Sequence, residues 1–495
     1  MAIKLNQEHL TQLPEDVAPP GYDRDAITPG ILHIGVGNFF RAHQAAFLDR
    51  LFNIGLDHDW GIVGAGVMPQ DAHIRDQLAA QDWLSTIVEL DPRGYSARIC
   101  GSLIDFVEVA PRSLIDALTR PAIRIVSLTV TEAGYFVDAT TGGFDANHPD
   151  IVGDISDPQH PRTVFGMLIA ALRERRESGL APFAIMSCDN LPGNGHVTRQ
   201  AVVGLARSNS VELADWIARE VAFPNGMVDC ITPATGARER ELVRTHFGIE
   251  DACPVVCEPF RQWVLEDRFP QGRPALEQVG VEFVEDVAPY ELMKLRILNG
   301  GHAAIAYPAA LMGIQYVHEA MAAPLVRAFL EKLEKAEIIP TVPPVPGVDF
   351  QAYLAVIEER FGNSKVGDTI PRLCLDGSNR QPKFVLPTIA DRLNQGLPVT
   401  GLALEVALWC RYCAGTRDDG HPVTLVDVNA ERLREHALRA TVEPTAFLEM
   451  TDVFGPISAH EVFRASFSTA LKSLWQTGTA ATLSAYVRRN ALAVD

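Results

Sequence analysis

The sequence predicts an α/β chain, with a domain built on a parallel-rich sheet followed by a mostly α-helical domain. From about residue 28 to residue 285, short apolar runs alternate with helical stretches, which is typical of a parallel sheet wrapped by helices. After about residue 286 the apolar spacing becomes helical, as in PLVRAFLEKLEKAEII and LALEVALWCRYCAG, with joints rich in proline and glycine such as PTVPPVPGVD. We therefore expect residues 1–285 to form the first domain and residues 286–495 the second.

Composition limits the class of partner. The chain has 495 residues, 47% of them hydrophobic, which is enough for two domains with separate cores. A net charge of -19 without a long basic run argues against nucleic acids and anionic membranes, since both require concentrated positive charge. A small-molecule partner is expected.

The sequence also suggests a compartment. No run of apolar residues is long enough to cross a membrane, and the N-terminus lacks the apolar core of a signal peptide, so we expect a cytoplasmic protein. Eight scattered cysteines favour reduced thiols. Cys410 and Cys413 form a CxxC pair, but no second pair stands at zinc-site spacing, so we interpret them as core residues and expect no metal.

The first motif is ILHIGVGNFFRAHQAAFLDRLF. An apolar strand runs into Gly35 and Gly37 and then into an amphipathic helix, the context of a Rossmann-type dinucleotide-binding turn. The first glycine permits the tight turn and the second lets the backbone approach a pyrophosphate. Asn38 and Phe39, at the helix start, are assigned to the same cofactor site. Phe40 replaces the usual third glycine, and a strand-to-helix turn without a ligand is the alternative.

The residue that would bind the adenosine ribose is expected near the end of the second strand. That strand, WGIVGAGV, ends in glycine and valine, and Asp71 just beyond it is the best candidate. An aspartate there favours the free 2′-hydroxyl of NAD and repels the 2′-phosphate of NADP. A solvated loop aspartate is the competing interpretation.

A second motif, KLRILNGGH, spans residues 294 to 302. On a helix advancing 100° per residue, Lys294, Asn299 and His302 fall within one half of the surface and can converge on one small ligand. A partly dehydrated lysine can act as a general base, and amide and imidazole groups can donate to a developing alkoxide. Gly300 and Gly301 would let a ligand or another helix approach. Taken singly, these residues are an ordinary surface lysine, a capping asparagine and a core histidine.

Tyr290 and Lys294 form a competing Y-x-x-x-K pattern. This spacing is the acid/base pair of the short-chain dehydrogenases, in which the lysine lowers the pKa of the tyrosine. Those enzymes are about half this length and carry a different glycine pattern, which disfavours the tyrosine mechanism here.

Motifs along almost the full chain resemble the polyol-specific long-chain dehydrogenases. The K-x-x-x-x-N-x-x-H pattern is accompanied, in order, by matches in ILHIGVGNFFRAHQA, IRIVSLTVTEAGY, MSCDNLPGNG, FPNGMVDCITP, VVCEPFRQWVLEDRF, ELMKLRILNGGH and DGSNRQPKF. The resemblance implies metal-independent oxidation of a polyol secondary alcohol to a ketose by NAD or NADP. D-mannitol to D-fructose is the expected reaction, with D-arabinitol or D-sorbitol as further substrates.

The same resemblance implies roles for individual residues. Lys294 would be the general base, Asn299 and Asn190 would hold the reacting oxygen, and His302 would hydrogen-bond and orient the substrate. Glu132 and Glu291 match acidic positions that lie near the active site in this family, and they would assist proton exit.

The polyol chain would be contacted by Asp229, Arg372 and Arg380. Two departures from the family pattern affect them. Cys230 stands where the family has an arginine, so a cation beside Asp229 is lost, and Arg380 stands where lysine is common. Because an arginine fork suits carboxylates, Arg372, Arg380 and Lys383 could instead form an anion site. That site would suit a hexuronate (fructuronate or tagaturonate) reductase, with a sugar phosphate as a further alternative.

The sequence also bears on cofactor choice and on assembly. An acidic residue often precedes Asp71 in the family, whereas this chain has Gln70, so NAD is expected with NADP as the alternative. The family resemblance and the negative charge favour a monomer. A nucleotide-binding regulator that keeps the fold without turnover is an alternative from another class, and the presence of every proposed catalytic group argues against it.

Overall fold

A computed structural model describes residues 2–138 and 141–488. The chain divides into two compact units, Met1–Ala288 and Pro289–Asp495. Within the described residues, no helix combines the length and apolar character needed to cross a bilayer.

Among the described residues, the first unit contains all of the strands and nine of the α-helices. In chain order, its strands are β1 (Ile3–Lys4), β2 (Val17–Ala18), β3 (Pro29–Ile34), β4 (Gly61–Ala65), β5 (Ser85–Asp91), β6 (Gly94–Cys100), β7 (Leu103–Phe106), β8 (Ile125–Leu128), β9 (Ala184–Ser187), β10 (Gly226–Asp229), β11 (Ile249–Glu250), β12 (Val255–Cys257), β13 (Gln262–Glu266) and β14 (Glu282–Val284). Its helices are α1 (Asn38–Ala42), α2 (Gln44–Asn53), α3 (Asp71–Ala79), α4 (Pro111–Leu118), α5 (Pro149–Ser156), α6 (Val164–Glu177), α7 (Asn194–Asn209), α8 (Val211–Glu220) and α9 (Ala237–Phe247).

A five-stranded parallel sheet with the order β7-β4-β3-β8-β9 lies at the centre of this unit. The chain leaves β3 for β4 and β7 on one side and then forms β8 and β9 on the other. The strand order therefore reverses between β3 and β8, and ligands of such sheets bind at this point, outside the carboxyl ends of the strands. Every residue of β4, β8 and β9 is buried, as expected for a sheet covered on both faces. The predicted parallel sheet is confirmed.

Two hydrophobic cores cover the faces of the central sheet. One is built with side chains of α4, α6, α7 and α8. The other includes α1, α2 and strands of the smaller sheets. Those sheets have the orders β12-β5-β6-β2 and β10-β13-β14, and a short pair joins β1 to β11. Because side chains alternate along a strand, neighbours such as Leu32 and Ile31 point into different cores.

The second unit is helical, as predicted. Its helices are α10 (Ala288–Met293), α11 (Gly300–Leu311), α12 (Val317–Ala322), α13 (Pro324–Leu333), α14 (Phe350–Phe361), α15 (Ile370–Leu373), α16 (Gly377–Phe384), α17 (Leu386–Asn394), α18 (Thr400–Cys413), α19 (Ala430–Arg439), α20 (Thr451–Phe454) and α21 (Glu461–Arg488). Two π-helical segments, Lys294–Asn299 and Glu334–Ile338, interrupt the α-helices. Cys410 and Cys413 are free thiols inside the almost fully buried α18, and burial raises the pKa of both.

Candidate active site

The glycine turn follows β3 at the point where the strand order reverses. Gly35 has φ +98°, and a Cβ there would overlap the carbonyl oxygen of Thr129, which follows β8. Gly37 is exposed, and a Cβ built on it would meet only the oxygen of Gly35, at 3.9 Å. The first glycine is thus required by the turn itself, and the second leaves its backbone open to a ligand.

His33 and Phe40 support this turn from behind. The fully buried His33 ring places Nδ1 2.8 Å from Ser127 Oγ and Nε2 3.0 Å from Thr129 Oγ1, which links β3 to β8. Burial lowers the pKa of His33 to about 3, so the ring is neutral at physiological pH. Phe40 stacks on it at 3.5 Å between ring centroids, with 9° between the ring planes. The large residue at the third glycine position therefore fills the space between helix and strand.

The helix after the turn is broken, whereas the sequence predicts one continuous helix. At His43 the backbone leaves the helical region (φ -117°, ψ -85°), so α1 is a single turn and α2 begins afterwards. Arg41 of α1 is buried and donates to Gly37 O at 3.3 Å and to Asn38 Oδ1 at 2.8 Å. Phe39 stacks on His43 at 5.0 Å. Arg41 puts a cation behind the turn, and the sequence motif did not identify it.

Asp71 is fixed immediately beyond β4. Its Oδ2 accepts hydrogen bonds from the backbone N–H groups of Val67 and Met68, both at 2.9 Å. A Cβ on Gly66 would overlap the Asp71 side chain, so that glycine is needed for the close approach. The carboxylate therefore stands at the carboxyl end of the strand next to β3, as a ribose-binding residue would require.

The loops after β8 and β9 are joined by Asp189. Its carboxylate accepts from the backbone N–H groups of Val130 (2.9 Å) and Thr131 (3.0 Å) and from Tyr135 Oη (2.7 Å). These bonds hold Thr131 at φ +68°, an unusual conformation for a residue other than glycine. Burial raises the pKa of Asp189. Glu132 and Asn190, which directly follow the two anchored positions, are thereby brought to the same edge of the sheet.

Asn194 connects that edge to Asp229. Its buried amide Nδ2 donates to Ser187 O at 3.2 Å and to Gly226 O at 2.7 Å, and its Oδ1 accepts from Gly226 N–H at 2.9 Å. These bonds tie the end of β9 to the start of β10, and the buried Asp229 is the last residue of β10. The next residue, Cys230, is also buried, and its hydrogen bond with Cys257, together with burial, raises its pKa. Cys230 is accordingly a packed thiol.

In the second unit, KLRILNGGH does not form the uniform α-helix that the sequence predicts. Lys294–Asn299 is π-helical, with α10 before it and α11 after it. The predicted angular spacing of 100° per residue is therefore wrong for the side chains of this segment. In a π-helix, hydrogen bonds join residues five apart, as Lys294 and Asn299 are. Lys294 is 8% exposed. Tyr290 and Lys294 lie on opposite sides of the change in helix type, so their spacing is not a regular α-helical turn.

The motif is anchored by residues on several helices. Arg296 donates to Thr341 O at 2.7 Å and pairs with Asp391. His302 stacks on Phe361 of α14, with ring centroids 4.2 Å apart. Glu291, in the first turn of α10, is half-buried.

Of the two glycines, only the second allows another segment of this unit to pack closely, because a Cβ on the first would make ordinary contacts. A Cβ on Gly300 would lie 3.7 Å from Phe384 O. A Cβ on Gly301 would lie only 3.2 Å from Glu334 Oε1. Of the two uses predicted for these glycines, the structure shows the approach of another helical segment.

Two of the three basic residues of α15 and α16 are already engaged by other groups of the chain. Arg372 donates from Nε and from Nη2 to the two carboxylate oxygens of Asp368. Arg380 Nη1 donates to Arg372 O at 3.3 Å and to Leu373 O at 3.2 Å. Lys383 is exposed on α16. Because Arg372 is neutralised by Asp368, the three residues do not combine into a concentrated positive site for a carboxylate.

Comparison with known proteins identifies the family. Residues 29–278 match the mannitol dehydrogenase Rossmann domain, and residues 286–475 match the mannitol dehydrogenase C-terminal domain. The chain belongs to the mannitol dehydrogenase family. The resemblance inferred from the sequence motifs is confirmed.

Relatives in the mannitol dehydrogenase family match this chain over nearly its whole length. Mannitol 2-dehydrogenase of Cereibacter sphaeroides is 58% identical, over 94% of this chain and 98% of that protein. The Pseudomonas fluorescens mannitol 2-dehydrogenase, solved as a ternary complex with NAD and D-mannitol, is 43% identical with a TM-score of 0.87, covering 98% of this chain and 100% of that one. Substrate-free D-sorbitol dehydrogenase is 34% identical with a TM-score of 0.90, covering 97% and 100%.

Proposed function

We propose that this chain oxidises D-mannitol to D-fructose with NAD, and that D-arabinitol or D-sorbitol are further substrates. The observation that carries the proposal is the buried Lys294, which begins a π-helical segment that ends at Asn299. π-Helical turns are rare and occur frequently at functional sites. The relatives named above act on polyols, and one of them was solved with NAD and D-mannitol, which supports the same chemistry here.

The residues after β3 fit a dinucleotide. Gly35 makes the turn, Gly37 exposes its backbone, and the buried Arg41 stands behind it. Asn38 and Phe39 would hold the cofactor at the helix start. When bound, NAD supplies the hydride acceptor. Residues 1–285 form the cofactor domain in this proposal, and residues 286–495 carry the catalytic lysine.

Lys294 is the general base. It takes the proton from the substrate hydroxyl as the carbon gives up its hydride, and burial helps because the neutral amine is favoured in a partly dehydrated site. Asn299 and Asn190 donate to the oxygen as it gains negative charge, and His302 orients the substrate. Glu132 and Glu291 carry the proton towards solvent. No metal ion is required for these steps.

The polyol hydroxyls are held by Asp229, Arg372 and Arg380. Desolvating several hydroxyls is unfavourable unless each finds a fixed polar partner, and these side chains are of suitable types. The ion pair between Arg372 and Asp368 favours a neutral polyol over a hexuronate, because a carboxylate substrate would have to compete with Asp368.

Asp71 determines the preference for NAD. Its second carboxylate oxygen can accept from the ribose hydroxyls while Oδ2 holds the loop. The protein is also proposed to be a cytoplasmic monomer. Its eight cysteines are free thiols, in keeping with a reducing compartment.

Lys294→Ala tests the catalytic assignment. We expect turnover to fall by roughly 10²–10⁴-fold, the usual contribution of a general base, while NADH binding measured by fluorescence is retained. Tyr290→Phe is the matched control and should have only a modest effect. Unchanged turnover in Lys294→Ala removes the lysine from the mechanism, and an equal loss in Tyr290→Phe would support the tyrosine mechanism.

A substrate panel tests the reaction itself. Nicotinamide absorbance is followed with mannitol, arabinitol, sorbitol and mannonate, each with NAD and with NADP. Reduction of NAD by mannitol or arabinitol, with none by mannonate, is expected. Activity confined to mannonate would instead identify a hexuronate reductase.

A further inference from the structure

Glu334 is a buried acid whose packing has no evident structural purpose. It begins the second π-helical segment and is 0% exposed, and among the described residues neither carboxyl oxygen has a hydrogen-bond partner. Glu337, three residues further on, is different: it accepts from the N–H groups of Gly401 (2.6 Å) and Leu402 (3.0 Å) at the start of α18. Burying a carboxyl group without partners is unfavourable, so Glu334 requires another explanation.

Glu334 lies directly against the catalytic motif. Its Oε1 is 3.2 Å from the position that a Cβ on Gly301 would occupy, and Phe361 lies 3.7 Å from the same position. Phe361 also stacks on His302. The carboxyl group is therefore packed under the turn that separates Asn299 from His302, and the glycine at 301 makes room for it.

The surroundings of Glu334 favour its neutral form. Burial is the main cause that raises its pKa well above the usual range, and the negative charge of Glu358 on α14 adds to it. Glu358 is itself paired with Arg327 of α13 at 2.9 Å. The ionisable side chains of the motif itself are Lys294, Arg296 and His302, and Arg296 is paired with Asp391.

Two further charged or titratable side chains that reach this π-helical segment hydrogen-bond to Glu337. Arg392 of α17 donates to Glu337 O at 3.2 Å, and Tyr486 of α21 donates to Glu337 Oε1 at 3.3 Å. These hydrogen bonds are made to Glu337, whereas the carboxyl group of Glu334 faces Gly301.

We propose that Glu334 is a positioning residue that must remain a neutral carboxylic acid for the motif to work, and that its ionisation suppresses hydride transfer. The inference rests on the proposed function. A negative charge beneath Asn299 and His302 would oppose the negative charge that develops on the substrate oxygen. It would also favour the protonated form of Lys294, which cannot act as a base. Both effects slow polyol oxidation.

Glu334→Gln tests this proposal because glutamine keeps the shape and cannot ionise. The pH profile of kcat/KM for mannitol oxidation should rise in both proteins as Lys294 loses its proton. At higher pH the wild type should fall about tenfold per pH unit above the pKa of Glu334, while the variant keeps its plateau. If the two pH profiles superimpose, the proposal is overturned. This holds also if Glu334→Gln changes the melting temperature, because Glu334 would then affect stability alone.

Glu358→Gln gives a second test that leaves Glu334 in place. Removing this neighbouring charge should lower the pKa of Glu334 and move the alkaline fall to lower pH. Glu331→Gln is the matched control, since Glu331 is the other partner of Arg327, at 2.9 Å. An alkaline fall that does not move in Glu358→Gln, or that moves equally in both variants, contradicts the proposal.

Infrared spectroscopy separates this inference from the proposed function because it needs no substrate. The difference spectrum of wild type minus Glu334→Gln should contain the carbonyl band of a protonated carboxylic acid at neutral pH. Carboxylate bands there instead would overturn the assignment of Glu334. If the protonated band is present but no polyol is oxidised by the wild type, the proposed function fails and the neutral state of Glu334 stands.

Discussion

Replacing Glu405 with glutamine should make the free energy of unfolding less dependent on pH. Glu405 is 0% exposed in α18, and its Oε1 accepts from Gln381 Nε2 at 2.6 Å. Burial raises the pKa of Glu405 to about 8. Gln381 belongs to α16, the helix that also carries Arg380, so this buried pair holds a helix of the proposed substrate site.

The magnitude follows from the two protonation equilibria. In the unfolded chain a glutamate titrates near pH 4.3, so between that value and about pH 8 the unfolded state loses a proton that the folded state keeps. The wild type therefore loses stability as pH rises through this window, and the loss is complete above it. With 1.36 kcal/mol per pKa unit, it amounts to roughly 4–5 kcal/mol, all of it absent in Glu405→Gln.

Urea denaturation of both proteins at a series of pH values measures this difference, with stabilities obtained by linear extrapolation. We expect the stability of Glu405→Gln relative to wild type to increase steadily from mildly acidic to mildly alkaline pH. Glu435→Gln, which removes an exposed carboxylate from α19, is the control and should give a nearly flat difference. A difference for Glu405→Gln that is equally flat would refute the reasoning.

Two further predictions concern the cofactor site. Gly35→Ala should strongly weaken NADH binding, measured by fluorescence titration, because the new Cβ overlaps Thr129 O. Gly55 has φ +80° and nothing within 4 Å of the Cβ position. Gly55→Ala should therefore lower the free energy of unfolding by only roughly 1–2 kcal/mol, through backbone strain, and keep its affinity for NADH. Asp71→Asn should raise turnover with NADP relative to NAD, since it removes the charge and keeps an oxygen for the loop, whereas the exposed Asp76→Asn should leave the ratio unchanged. NADP turnover that already equals NAD turnover in the wild type would contradict the role of Asp71.

The elements that the sequence predicted well are those set by local patterns. The strand before Gly35 is recognisable because its apolar run and the two glycines are adjacent in the chain. The helical second unit shows in the spacing of its apolar residues. The family could be inferred because several short motifs occur in the same order along the chain.

Residues whose partners are distant in sequence were missed. Asp189 holds Val130, 59 residues earlier, and Asn194 holds Gly226, 32 residues later. Both stand in the motif MSCDNLPGNG, so their position near Asn190 was a signal, but nothing in a linear pattern shows what a side chain bonds. The roles of Asp71 and of the polyol-binding residues remain predictions.

The sequence by itself determined the sheet domain followed by a helical domain and the glycine turn, because these follow from side-chain spacing, whereas the convergence of Lys294, Asn299 and His302 on one ligand remains a prediction. Only the tertiary structure decided that this group lies partly on a π-helix with Glu334 packed under Gly301. Whether a segment forms α-helical or π-helical hydrogen bonds depends on which other helices pack against it. Likewise, the protonation of a buried acid depends on how completely other parts of the chain exclude water from it.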